Sequence, residues 1–142
     1  MSEVGRVLGI DYGKVRIGLS LSDVMRMVAT PLETVDGTSE KKATRRIREI
    51  LEEQKSSTIV VGLPLHMNGD FGDLAQAATD FGDKLKSQVP GVEIVMWDER
   101  LTSLEAEKIL RLGNAKAKRK KEVRDQLAAQ LILQSWLDSQ AM

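Results

Sequence analysis

The 142-residue chain predicts an α/β domain built on one five-stranded mixed sheet with helices on its faces. Three observations predict it. The N-terminal third holds three short strand-like runs separated by tight turns. The middle alternates helix-period segments with β-branched runs, as parallel strands linked by helices require. The chain then closes on a long apolar-striped helix. The expected sheet therefore has three antiparallel strands followed by two parallel ones.

Arg6 to Ile10 reads as a buried strand, and Arg16 to Ser22 alternates apolar with small or polar residues as a second. Asp11 to Val15, with Gly13 inside it, suits a hairpin connection. Met27 to Val35 fits a third strand, and Pro31 gives it edge or bulge character. Ser39 to Gln54 places Ala43, Ile47, Ile50 and Leu51 at helical spacing. Thr58 to Leu63 is short, β-branched and continuous, as expected of a strand covered on both faces. Pro64 to Gly72 is a loop. Asp73 to Val89 is a helix carrying Leu74, Ala77, Ala78, Phe81 and Leu85, ended by Pro90-Gly91, and Val92 to Trp97 is a fifth strand. Thr102-Ser103-Leu104-Glu105 has capping-box spacing, so a helix begins there and ends at Gly113. Glu122 to Asp138 forms the final helix.

The bulk numbers fit one domain, residues 1–142. Hydrophobic residues make up 42% and charged residues 30%, the balance of a globular protein, and no apolar run approaches the roughly 18 residues of a membrane span. The N-terminus lacks the basic-then-apolar pattern of a signal peptide, so the cytoplasm is the expected compartment. The absence of cysteine removes disulfides, thiolate metal sites and a cysteine nucleophile. Net charge is zero, yet Lys41 to Arg48 and Lys116 to Lys121 are strongly basic, so a polyanion can meet one face of a neutral protein.

Three acids stand out: Asp11, Asp125, and one of the pair Asp98-Glu99. Asp11 closes the first strand and opens Tyr12-Gly13-Lys14. Asp98 and Glu99 follow the fifth strand, and neighbours there point to opposite faces, so one of the two should join Asp11. Asp125 shares a helical stripe with Ala128, Ala129, Ile132 and Trp136, where an isolated carboxylate needs a partner or a cation. Carboxylates converging at strand ends can hold Mg²⁺, and two such ions can clamp the attacking and leaving oxygens of a phosphodiester. Gly62 to Asp70 follows the central strand, where ligand contacts are common, and Asn68 can bond a phosphate or sugar. His66, the one histidine, reads as a surface residue. No zinc site, Ser/His/Asp triad or P-loop is present.

Taken together, these strings resemble the YqgF family, also called RuvX, of RNase H-like nucleases. The segments that carry the resemblance are Gly9-Ile10-Asp11-Tyr12-Gly13 through Arg16-Ile17-Gly18 to Ser22-Asp23, then Val61-Gly62-Leu63-Pro64-Leu65. Asp98-Glu99-Arg100-Leu101-Thr102-Ser103 follows, and then Asp125 with Ala128-Ala129 and Ile132-Leu133-Gln134. They run in order along nearly the whole chain. The resemblance implies an RNase H-like fold and phosphodiester hydrolysis with Mg²⁺ or Mn²⁺. It selects Asp11, Glu99 and Asp125 as catalytic and metal-holding residues, with water as the nucleophile. Lys14, Arg16, Asn68, Arg100 and the basic residues Lys118, Arg119, Lys120 and Lys121 would contact substrate.

The family also implies a nucleic-acid partner, either structured RNA in 5′-end maturation of pre-16S rRNA or branched DNA as a Holliday junction. The expected protein is a monomer or homodimer with no membrane contact. Asp70 stands where similar proteins carry Thr or Ser, which bears on loop contacts and leaves the acidic trio untouched. The Asp11-x-Gly13 hairpin is also similar to the phosphate loop of actin- and hexokinase-like ATPases, but these close two such domains on ATP. A non-catalytic ribosome-assembly module is the other alternative.

Overall fold

A computed structural model describes residues 5–101 and 121–141. The capping box at 102–105, Gly113 and the basic residues Lys118, Arg119 and Lys120 lie outside them.

Strand β1 (Val7–Asp11) pairs antiparallel with β2 (Arg16–Ser22), which pairs antiparallel with β3 (Ala29–Asp36). Helix α1 (Glu40–Glu53) leads to β4 (Thr58–Leu63), parallel to β1. Helix α2 (Asp73–Gln88) leads to β5 (Glu93–Asp98), parallel to β4. The sheet order is β3-β2-β1-β4-β5, which is the three antiparallel and two parallel strands expected. A 3₁₀ turn (Glu99–Leu101) follows β5, and α3 (Lys121–Gln140) is the last element. Register shifts between Leu19 and Ser20, with Ser20 opposite Pro31, so the proline sits on an edge strand at a bulge, where a missing N–H is tolerated.

The strand period of two divides the core between the faces of the sheet. Leu8, Ile10, Ile59 and Val61 meet Ala43, Ile47, Ala78, Phe81 and Leu85 under α1 and α2. Val7 and Val60 meet Ile132, Leu133, Trp136 and Leu137 of α3. Trp136 and Leu137 are therefore core. Helix α3 comes close because Gly9 has no side chain: a Cβ there would stand 2.7 Å from Leu133 Cβ.

Several boundaries move by one or two residues. β1 and β5 each shift one residue onward, so Asp11 and Asp98 are their last residues, and α3 extends to Gln140. Leu74 is a correction. It is exposed, and the buried stripe of α2 runs through Ala75, Ala78, Phe81, Gly82 and Leu85. Leu74 and Ala75 are both apolar, so sequence alone left the phase of this stripe ambiguous by one residue.

Candidate functional site

Alternation along β1 sends Val7, Gly9 and Asp11 toward α3. Asp11 pairs with Gly18 on β2. On β4, Ile10 pairs with Val61, which puts Gly62 one step further along, beside Asp11. Asp11 is thus flanked by a glycine on each neighbouring strand.

Each glycine leaves room for another acid. A Cβ on Gly18 would collide with the backbone carbonyl of Asp125 and reach within 3.0 Å of its Cβ. A Cβ on Gly62 would lie 2.8 Å from Glu99 Oε2 and 2.6 Å from Ile132 Cδ1. Asp125 and Glu99 therefore enter from α3 and from the turn after β5, onto the face toward which Asp11 points. Three acids far apart in sequence share one end of one face.

Their electrostatics agree with that placement. Asp11 is half-buried and its carboxyl is pushed up to about 8, first by burial and then by the charges of Glu99 and Asp125. Burial, followed by the charge of Asp98, also raises Glu99. Asp98 behaves in the opposite way. It lies on the other side of the strand end, and the Arg100 side chain holds its carboxyl below the usual range. Arg100 Nη2 and Nε donate to Asp98 Oδ2 at 2.7 and 3.0 Å, and the Arg100 backbone N–H donates to Oδ1 at 2.9 Å. The structure separates two acids that strand-end parity left equivalent.

The third acid is engaged. Arg16 Nε donates to Asp125 Oδ2 at 2.8 Å, joining two residues 109 apart in the chain. Among the described residues no three acids or histidines stand close enough to enclose an ion. The donor set nonetheless fits a hard divalent cation. It is all carboxylate oxygen, and the charge crowded around Asp11 is what a cation would discharge.

The other expected contacts are distributed unevenly. Lys14 is exposed in the β1–β2 connection. Arg100, besides holding Asp98, donates from Nη1 to the Met67 carbonyl at 3.4 Å, and so ties the loop after β4 to the end of β5. Asn68 is turned into that loop: its side chain exchanges bonds with Asp70, at 3.0 Å to the carboxylate and 2.9 Å from the backbone N–H. Asp70 is thus half of a local turn. His66 is exposed and its ring packs over Gly72. Lys121 opens α3. Sequence reasoning missed the Arg16–Asp125 pair, since no spacing links residues so far apart.

A family model described as RuvX, Holliday junction resolvase, matches residues 5–139. A Lactococcus lactis subsp. lactis protein named "Putative pre-16S rRNA nuclease" is 42% identical over 139 residues, 96% of each chain. A Thermoanaerobacter pseudethanolicus protein of the same name is 43% identical over 137 residues, 95% of this chain and 97% of that one. Among solved structures, T. thermophilus RuvC in complex with a Holliday junction substrate superposes with a TM-score of 0.63 at 18% identity, covering 96% of both chains. That likeness establishes an RNase H-like, RuvC-type fold. With the family model spanning nearly every residue and close relatives aligned end to end, this chain belongs to the RuvX family.

Proposed function

We propose that this protein is a metal-dependent nuclease that hydrolyses phosphodiester bonds in 5′-end maturation of pre-16S rRNA. One observation carries the chemistry: Gly18 and Gly62 flank Asp11, and Asp125 and Glu99 occupy the space that side chains there would have filled. The same glycines let α3 and the turn after β5 close on the sheet, and that approach is what brings Asp125 and Glu99 up to Asp11. Such glycines are what an assembled carboxylate site needs. The substrate assignment is supported by the name that the aligned relatives carry.

Asp11, Glu99 and Asp125 would hold Mg²⁺ or Mn²⁺, hard cations that prefer oxygen ligands. When bound, the cations supply positive charge to the attacking and leaving oxygens of the phosphodiester. The chain's own residues position the rest. Asp11, on a strand inside the sheet, gives the site a rigid base. Arg16 balances Asp125 and, as a planar guanidinium, is suited to grip a phosphate. Arg100 keeps Asp98 out of the site and fixes the loop after β4. Lys14 and the basic run ending at Lys121 draw the backbone in without reading sequence.

The family description supports a second substrate, the four-way DNA junction. Purified protein with Mg²⁺ or Mn²⁺ should be offered an RNA spanning the 5′ end of the 16S precursor and a mobile four-way junction, side by side. The expected result is metal-dependent cutting of the RNA that disappears with Glu99→Gln. Paired nicks in the junction alone would replace the substrate. Binding of RNA with no cutting of either would make the protein an assembly module.

A further inference from the structure

Helix α1 is charged against its own dipole. A helix is partly positive at its N-terminus and partly negative at its C-terminus, so acids stabilise the first turns and bases the last. In α1, Lys41, Lys42 and Arg45 outnumber the single acid Glu40 in the N-terminal half, and Arg48 follows just past the middle. Glu49, Glu52 and Glu53 end the helix, with no base in its last turn. Helix stability does not explain this order.

Ion pairing leaves those bases available. Arg46 takes up Glu33 through two 2.8 Å bonds, along with Glu49 at 3.3 Å and Glu53 at 3.2 Å. Lys84 of α2 pairs with Glu40. Two cations thus occupy four carboxylates around the helix. Lys41, Lys42, Arg45 and Arg48 are all exposed and in no ion pair among the described residues. Lys41, Arg45 and Arg48 fall within about 60° of one another around the axis, a stripe roughly 10 Å long. Its single acid, Glu52, lies at the far end.

The stripe begins at the acidic end of the sheet. Arg16 pairs with Asp36 at the end of β3, and the Gly37 N–H just beyond donates to the Val15 carbonyl at 2.8 Å. The first turn of α1 therefore adjoins the β1–β2 hairpin, where Lys14 is exposed. Helix α1 covers the face of the sheet opposite to the acids, so a strand leaving Asp11 reaches it by rounding that hairpin. Helix α2, in the same layer, exposes Asp73, Asp80 and Asp83 against Lys84, which is paired with Glu40, and Lys86, so it is net acidic and the α1 side is the more favourable route.

From this arrangement we infer that the outward face of α1 binds the phosphate backbone of the nucleic-acid substrate, beyond the nucleotides held at the acids. It deepens the nuclease reading and rests on it for the identity of the ligand. About 10 Å spans roughly three phosphate steps along one strand, matching the three cations of the stripe.

The test compares wild type with the triple variant Lys41→Gln, Arg45→Gln and Arg48→Gln. Binding is measured against KCl concentration, using a long RNA duplex with a single-stranded 5′ extension. Each lost phosphate contact lowers the salt slope by about 0.7–0.9, so the triple variant should lose about two units of slope. Affinity at physiological salt should fall at least about tenfold. Cleavage of a short single strand limited to the nucleotides around the cut should be unchanged. Thermal melting should stay nearly level, because none of the three side chains makes an ion pair among the described residues and Lys41 and Arg45 oppose the dipole. An unchanged slope on the long duplex would overturn the inference, even if the variant lost a protein partner instead. A wild type that binds RNA without cutting it removes the nuclease reading alone, and the slope comparison still decides this one.

Discussion

Asp11 is the residue at which stability and the proposed function conflict. Its carboxyl titrates near 3.8 when free of neighbours and at about 8 in the fold, so the folded state holds this proton more tightly than the unfolded chain does. The stability Asp11 allows is complete below the unfolded value and is lost as pH rises through about 8. Asp11→Asn should therefore raise the melting temperature of the metal-free protein at pH 8, by on the order of 1–2 kcal/mol or a few degrees. The gain should shrink toward pH 4. Added Mg²⁺ should raise the wild-type melting temperature and leave the variant's unchanged. Thermal melts at both pH values, with and without the ion, check all three outcomes.

Arg16 and Asp125 make the other residue-scale test, because each occupies the other. Arg16→Gln should tighten Mn²⁺ binding in calorimetry without nucleic acid, by freeing a carboxylate, and should weaken RNA binding. Equal or weaker Mn²⁺ binding would mean that the pair builds the site rather than competes with it. None of this pairing was legible beforehand. Asp11 and Asp125 were identifiable as candidates because an acid at a strand end and an acid on an apolar stripe are each locally anomalous. The choice of Glu99 came from resemblance, and the Arg100 fork that engages Asp98 and distinguishes the two acids is visible only in three dimensions.

Glycine placement sets the geometry at the scale of elements. Gly18→Ala would drive a methyl into the Asp125 backbone, which cannot yield without moving α3 or β2. Overpacking of this kind costs about 1–3 kcal/mol and should lower stability and cleavage together. Gly62→Ala meets only the ends of Ile132 and Glu99, which can swing aside. It should change stability less while reducing cleavage more, because Glu99 is the group displaced. Chemical denaturation alongside single-turnover rates would separate the two, and an equal loss of stability from both would contradict this assignment. Elements were the most legible level of the sequence. Period two, period 3.6 and turn residues located every strand and helix among the described residues to within one or two positions. The inward phase of α2 was not legible, because Leu74 and Ala75 both satisfy an apolar pattern.

For the molecule as a whole, a formal charge of zero conceals strong sorting: acids at one end of the sheet and along α2, bases along the outer face of α1. Three antiparallel strands followed by two parallel ones were legible because short turns force antiparallel neighbours and helical crossovers force parallel ones, whereas the position of β4 beside β1 is visible only in three dimensions. The convergence of three acids at one sheet end was legible only as a possibility, since it depends on the absent side chains of Gly18 and Gly62. The most direct measurement is single-turnover RNA cleavage against Mn²⁺ concentration for wild type, Asp11→Asn, Glu99→Gln, Asp125→Asn and Asp98→Asn, with RNA affinity measured in parallel. Loss of a cation-holding carboxylate removes several kcal/mol of charge stabilisation, so the first three variants should fall at least about a hundredfold while binding persists. Asp98→Asn should stay within about tenfold of wild type. Wild-type cleavage by Asp11→Asn, or cleavage that persists in EDTA, would contradict a metal-dependent carboxylate centre at this end of the sheet.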